Sequence, residues 1–154
     1  MKLELIPNYV DAAFEQEVLK LVPKIDKKNS NGVNQTLRWG SNNGPYRVSN
    51  ISTDIPEIFL PFKDKFEFNM VGINEYHPGQ LIDWHIDHVS GGEQIRLISL
   101  LSEADLKFKR DNHIVSYTLP RYSYCMFEGE LRWGYKHSLY APEYRVSVVF
   151  RNII

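Results

Sequence analysis

From residue 68 to its end the chain is a succession of short runs rich in β-branched and aromatic residues, each closed by a turn signal. Runs of that length and composition read as strands. They are expected near 70–76, 82–87, 95–101, 105–110, 114–118, 123–127 and 144–152, a spacing that points to a sandwich or barrel. The first part of the chain differs. In DAAFEQEVLKLV, residues 11–22, Phe14, Val18 and Leu21 or Val22 share one helical face, and Asp11 is placed to cap the start. A second helix is expected near 56–66, with Pro56 in its first turn and Pro61 kinking or ending it. Residues 28–50, rich in Asn, Ser and Gly, read as irregular loop or short hairpin. The expected class is α+β with β dominant, N-terminal helices being packed on a β core. The 154 residues suit one domain.

Composition narrows the function. At 43% hydrophobic and 13% aromatic residues, with a net charge of -1, the chain is no disordered segment. Its single cysteine, Cys125, excludes an internal disulfide and suggests a reducing compartment, cytoplasmic or, in a eukaryote, nuclear. Neither a signal peptide nor a membrane span is expected, and a monomer is. The charge is unevenly spread. No acid lies between Asp26 and Asp54, whereas Lys27, Lys28, Arg38 and Arg47 do. Such local basic ground suits a phosphate backbone.

The stretch NEYHPGQLIDWHIDH, residues 74–88, carries the first chemistry. On a strand, His85 and Asp87 would share a face about 7 Å apart and could converge on one ion. Trp84 and Ile86 would then anchor the opposite face in the core. His137 is the best third ligand. Two histidines and a carboxylate on one side of a metal favour non-haem Fe(II) and oxygen chemistry. By itself an H-x-D is also what a solvent-facing polar strand shows.

The last strand, YRVSVVFRN, places Arg145, Ser147, Val149 and Arg151 on one face and Val146, Val148 and Phe150 on the other. If the apolar face is core, the arginines line something else and could clamp a small dianion between them. An ordinary surface arginine pair has the same spacing.

The order of these features is more specific than any one of them. N-x-Y-x-x-G at 74–79, H-x-D at 85–87, G-x-x-R-W-x-x-x-H at 129–137 and R-x-S-x-x-x-R at 145–151 follow one another. With RWG at 38–40 and IRLISL at 95–100, this series resembles the AlkB family of Fe(II)- and 2-oxoglutarate-dependent dioxygenases over roughly residues 36–152. LPRYSYCMFEGELRWGYKH looks most like the branch that hydroxylates wobble uridines of tRNA.

The resemblance implies a double-stranded β-helix, or jelly-roll. It implies Fe(II) held by His85, Asp87 and His137. It implies 2-oxoglutarate paired through its distal carboxylate with Arg145 and Tyr76, with Asn74 and Arg151 toward the metal-binding end and Ser147 between them. With O2 as co-substrate, such enzymes oxidatively demethylate or hydroxylate their substrate, releasing succinate and CO2. In base-modifying members this is a base in DNA or RNA, flipped and stacked between aromatics. Residues 28–50 would be the nucleotide lid, with Trp39 and Tyr46 stacking and Arg38, Arg47 and Lys27 meeting phosphates. Aromatics in a loop also serve simply to pin it. Single-stranded DNA, RNA or tRNA is the expected partner. Val89 stands where repair members carry an acid that reads a damaged base, which weighs against a methyladenine or methylcytosine dealkylase. A protein or small-molecule substrate is the alternative. The interval from His137 to Arg145 is expected to be a tight hairpin. Asp83 is in phase with His85 as a supporting group, and Arg132 is either structural or in contact with substrate.

Overall fold

The computed structural model describes residues 2–22, 35–41 and 51–154. Asp11 opens helix α1 (Ala12–Leu19), its carboxylate accepting the Phe14 amide at 2.9 Å. That satisfies one of the donors a helix start leaves unpaired. The second expected helix is a 3-10 helix, Glu57–Asp64. Pro61 lies inside it and has no N–H for an α-helical ladder.

The strands are β1 (Lys2–Ile6), β2 (Gln35–Gly40), β3 (Ile51–Ser52), β4 (Met70–Tyr76), β5 (Gln80–His85), β6 (Ile95–Leu100), β7 (Ala104–Arg110), β8 (His113–Leu119), β9 (Tyr124–Glu128), β10 (Lys136–Ala141) and β11 (Arg145–Arg151). A short helix, α2 (Glu130–Trp133), precedes β10. The strands form a seven-stranded sheet, β1-β9-β6-β11-β4-β2-β3, and a four-stranded sheet, β5-β10-β7-β8. From β4 to β11 the chain passes back and forth between the two sheets, the β7–β8 hairpin alone staying within one. This is the jelly-roll core. The step from His137 to Arg145 is therefore no hairpin. β10 pairs with β5 and β7 in the small sheet, whereas β11 pairs with β4 and β6 in the large one.

The large sheet has two buried faces. Val71, Ile73, Ile98, Val146, Val148 and Phe150 pack in one cluster with Val18 of α1 and Phe59 of the 3-10 helix. Leu97, Phe127 and Val149 pack with Leu106, Phe108 and Leu139 of the small sheet. β11 runs through the middle of the large sheet, so period-two alternation gives Val146, Val148 and Phe150 to the helical layer and the arginines, with Ser147 and Val149, to the space between the sheets. The small sheet has one covered face. Ile86, expected in the core, is 42% exposed, and Trp84 is half-buried.

One ion pair joins the helical layer to the sheet. The buried Glu15 carboxylate accepts from Arg121 at 3.0 and 2.5 Å and from the Leu101 amide at 2.8 Å. Leu101 has φ 71°, a left-handed conformation that a leucine seldom adopts, and it lies where β6 leaves one sheet for the other. Burial alone would raise the Glu15 carboxyl. The Arg121 guanidinium, followed by the Leu101 amide, holds it below its ordinary value. Glu15→Ala is expected to cost about 1–3 kcal/mol by urea melts at pH 7, because it strands a backbone donor. A depressed carboxyl stabilises fully above its unfolded pKa of about 4.3. The gap between wild type and variant should therefore close as pH falls from there through the folded value.

Candidate metal centre

His137 and Leu139 alternate regularly on β10, but their partners on β5 are His85 and Ile82, three residues apart. This bulge turns His85 into the space between the sheets beside Ile82. Asp87 lies two residues past the end of β5, and its side chain is 7% exposed. The ligand atoms of His85, Asp87 and His137 all lie within 4.8 Å of one another.

Asp87 Oδ1 faces Nε2 of His85 at 3.1 Å and Nε2 of His137 at 3.5 Å. Its other oxygen, Oδ2, accepts from Nη1 of Arg151 at 2.7 Å. Nδ1 of His85 lies 2.6 Å from the Asp83 carbonyl, so an Nδ1–H tautomer leaves the Nε2 lone pair for a metal. The supporting group at Asp83 is thus its backbone; its side chain accepts from the Trp84 amide. Burial would raise the Asp87 carboxyl, but the Arg151 charge, with the bonds from His137 and His85, holds it well below the carboxylate range. Burial would lower His85, and the Asp87 carboxylate raises it above the usual histidine value. His137 is more deeply buried, and desolvation lowers it. Two imidazole nitrogens and one carboxylate oxygen are a donor set that suits a non-haem iron.

Arg145 occupies the same inter-sheet space. It is fully buried; Nε donates to Ser99 Oγ at 2.9 Å, and the guanidinium lies 5.0 Å from the centre of the Tyr76 ring. Among the described residues, Nη1 and Nη2 are buried with no hydrogen-bond partner. A cation so placed carries a large desolvation cost, and its two outer nitrogens form the fork that matches a carboxylate. Tyr76 and Asn74 stand opposite Arg145 and Ser147 in the β4–β11 register and so share their face.

Two contributors carried no decisive signal in the sequence. Ser99 is a lone hydroxyl in the apolar run IRLISL, and only strand pairing brings it to Arg145. Arg132 is fully buried and donates to the carbonyls of Asp87, His88 and Gly92 at 2.9, 2.8 and 2.9 Å. It therefore clasps the backbone that carries Asp87. Two of the residues expected to meet substrate are buried. Arg38 is 2% exposed and donates to the Ser41 carbonyl at 2.6 Å. Trp39 is 8% exposed and packs 5.8 Å from Phe59, between ring centres. Both sit on β2, whose pairing with β4 carries them into the core. Tyr46, Arg47 and Lys27 fall outside the described residues.

Two sheets closed over a His–Asp–His cluster, in which Asp87 and His137 are buried and His85 is partly open, make this a double-stranded β-helix protein with a candidate mononuclear metal centre. The chain is AlkB-like. Its fold matches the solved structure of OsALKBH1 with a TM-score of 0.72 over 97% of both chains, at 12% identity. It is 38% identical over 110 residues to tRNA (carboxymethyluridine(34)-5-O)-methyltransferase ALKBH8 of Macaca fascicularis. It is 32% identical over 87 residues to the protein of the same name from Xenopus tropicalis. These matches take in 61% and 55% of this chain but 17% and 14% of those relatives. No family model matches the chain. Among the described residues no helix is long and apolar enough to cross a membrane.

Proposed function

We propose that this chain is an Fe(II)- and 2-oxoglutarate-dependent dioxygenase domain of AlkB type that hydroxylates or demethylates a base in RNA, releasing succinate and CO2. The observation that carries this reading is Arg145. A buried guanidinium with two unpartnered nitrogens, in the same inter-sheet space as a His–Asp–His cluster, asks for an anion there.

His85, Asp87 and His137 would hold the iron. Arg145, beside Tyr76, would take the distal carboxylate of 2-oxoglutarate, with Asn74, Ser147 and Arg151 lining the way to the metal. With O2 as the oxidant, one oxygen atom passing to succinate and the other to the substrate, iron and 2-oxoglutarate would supply the chemistry that hydroxylates a C–H bond, which no side chain can. The protein contributes orientation and exclusion of water. Arg151 engages Oδ2 of Asp87 and leaves Oδ1 toward the histidines. The Asp83 carbonyl aims Nε2 of His85. Arg132 fixes the backbone at Asp87. Phe108, tilted against His137, and Phe127, edge-on to it, are almost wholly buried and keep that side dry.

RNA is favoured by the likeness to proteins named for modifying a tRNA uridine. Val89 in place of an acid weighs against a methyladenine or methylcytosine target and is the feature that keeps a protein or small-molecule substrate as the alternative. The test is nucleoside mass spectrometry of total tRNA, methylated RNA and methylated single-stranded DNA, each incubated with the protein, Fe(II), 2-oxoglutarate and oxygen. A hydroxylated or demethylated nucleoside should appear in an RNA pool with the unmutated chain and be absent with His85→Ala. Unchanged nucleosides alongside His85-dependent succinate would transfer the same chemistry to a protein or small-molecule substrate.

A further inference from the structure

The outer face of the small sheet carries a basic groove that the oxygenase chemistry does not use. Trp84, Ile86, Lys109, Arg110, Asp111, Gly134 and Lys136 line it. Lys109 of β7 and Lys136 of β10 stand directly opposite each other. Both are exposed, because their chain neighbours Phe108 and His137 point inward and are buried. Like charges directly opposed across an antiparallel pair destabilise a sheet. Among the described residues neither lysine, nor Arg110, makes an ion pair. Lys107 adds a third exposed lysine two residues along β7, on the same face. Trp84 presents a half-buried ring to this groove, with the Lys109 ammonium 5.5 Å from its centre.

The groove also lies close to the candidate metal centre. Trp84 and Ile86 flank His85, and Lys136 precedes His137, so the basic face and the ligand-bearing face are two sides of the same strands. We propose that this groove binds the sugar–phosphate backbone of the RNA strand whose base enters the site, Lys109 and Lys136 meeting phosphates and Trp84 stacking on a neighbouring base. The idea rests on the reading of the chain as an RNA-modifying oxygenase. Charge complementarity names the occupant: three cations, Lys109, Arg110 and Lys136, outnumber the one carboxylate of the groove, Asp111, beside an aromatic face, and an excess of cations next to an aromatic ring is the feature of a single-strand platform.

The test is the salt dependence of binding of a fluorescein-labelled, uridine-containing single-stranded RNA to the full chain, followed by anisotropy. For a single strand each neutralised phosphate contributes about 0.7 to the slope of log K against log salt. Lys109→Gln/Lys136→Gln should reduce the slope by about 1.4. Lys65→Gln, an exposed lysine just past the 3-10 helix, should leave it unchanged. Trp84→Leu should weaken binding about 5- to 150-fold with little change in slope. Thermal midpoints of all variants are compared with the unmutated chain, and only folded ones are scored; Lys109→Gln alone, expected to lower the slope by about 0.7, serves if the double variant does not fold. If the unmutated chain binds and modifies RNA but the lysine variants keep its slope, the groove proposal fails and the function stands. An equal fall with Lys65→Gln would reduce the effect to net charge and overturn it too. Tighter binding of the deoxy strand, or equal competition by polyglutamate, would assign the groove to DNA or to an acidic protein instead. If the unmutated chain neither binds nor modifies RNA, both proposals fall.

Discussion

Arg145→Met is expected to abolish 2-oxoglutarate binding while leaving the ligand-free protein as stable as before, or more so. The two effects have one cause. Nη1 and Nη2 of Arg145 are buried without partners, so the ligand-free fold carries an incompletely solvated cation. Desolvation already lowers the guanidinium pKa from its ordinary value. Replacing a buried ionic group with an apolar one of similar volume is often neutral or stabilising by about 1–4 kcal/mol. Removing one partner of a buried charge pair, by contrast, costs binding about 2–5 kcal/mol, or roughly 30- to several-thousand-fold in affinity. Calorimetric titration of 2-oxoglutarate into the Mn(II)-loaded protein would read the second effect, and a urea melt of the ligand-free protein the first. Unchanged affinity would remove the anion role from Arg145. Lost affinity together with a loss of stability above about 3 kcal/mol would mean that the guanidinium is a structural tie, not a waiting ligand site.

Asp87→Asn should do the opposite and damage the protein with and without metal. In the ligand-free state the Asp87 carboxylate is the anion facing Arg151, His85 and His137. Asparagine keeps the shape and removes the charge, leaving Arg151 beside a neutral amide. Breaking a buried pair in this way costs about 3–5 kcal/mol. Metal affinity should fall by more than about 100-fold, since loss of an outer-shell partner alone costs about 10- to 100-fold. Competition with a chromophoric chelator would measure the affinity, and a urea melt the stability. A variant that keeps wild-type Fe(II) affinity would take Asp87 out of the ligand set. The pH dependence has a definite sign. Because the Asp87 carboxyl is depressed in the fold, its contribution is complete above the unfolded value of about 3.9 and disappears as pH falls through the folded one. The stability difference between wild type and Asp87→Asn should therefore narrow only under strongly acidic conditions.

The two variants also separate the halves of the proposed site. Arg145 reaches the inter-sheet space from the centre of the large sheet, and Asp87 from the loop after the small sheet's edge strand.

Much of this arrangement was legible in local pattern. A strand's period of two divides VSVVF between helical layer and chamber without reference to anything else, so the arginine face of β11 could be assigned before its neighbours were known. The same holds for the start of α1, where Asp11 needs only its own next turn. His85, Asp87 and His137 were nameable because H-x-D, a later histidine and the R-x-S-x-x-x-R strand follow one another in an order that resembles the AlkB family, not because H-x-D is rare. What depended on distant pairing was not legible. RWG at 38–40 reads as a polar lid sequence, yet Arg38 and Trp39 are interior because β4 lies beside them. Trp84 and Ile86 read as core, yet they face outward because the bulge on β5 resets the phase and no described element covers the outer face of that sheet. Arg132 and Ser99 are ordinary in sequence and acquire their roles from carbonyls and a guanidinium forty or more residues away. The sequence by itself therefore determined the two faces of β11, the cap of α1 and the residue types of the cluster, all properties set within a few residues. Only the tertiary structure decided which face found a partner, which cation was left without one, and where the basic groove lies, because burial and charge pairing belong to pairs of segments and not to either alone.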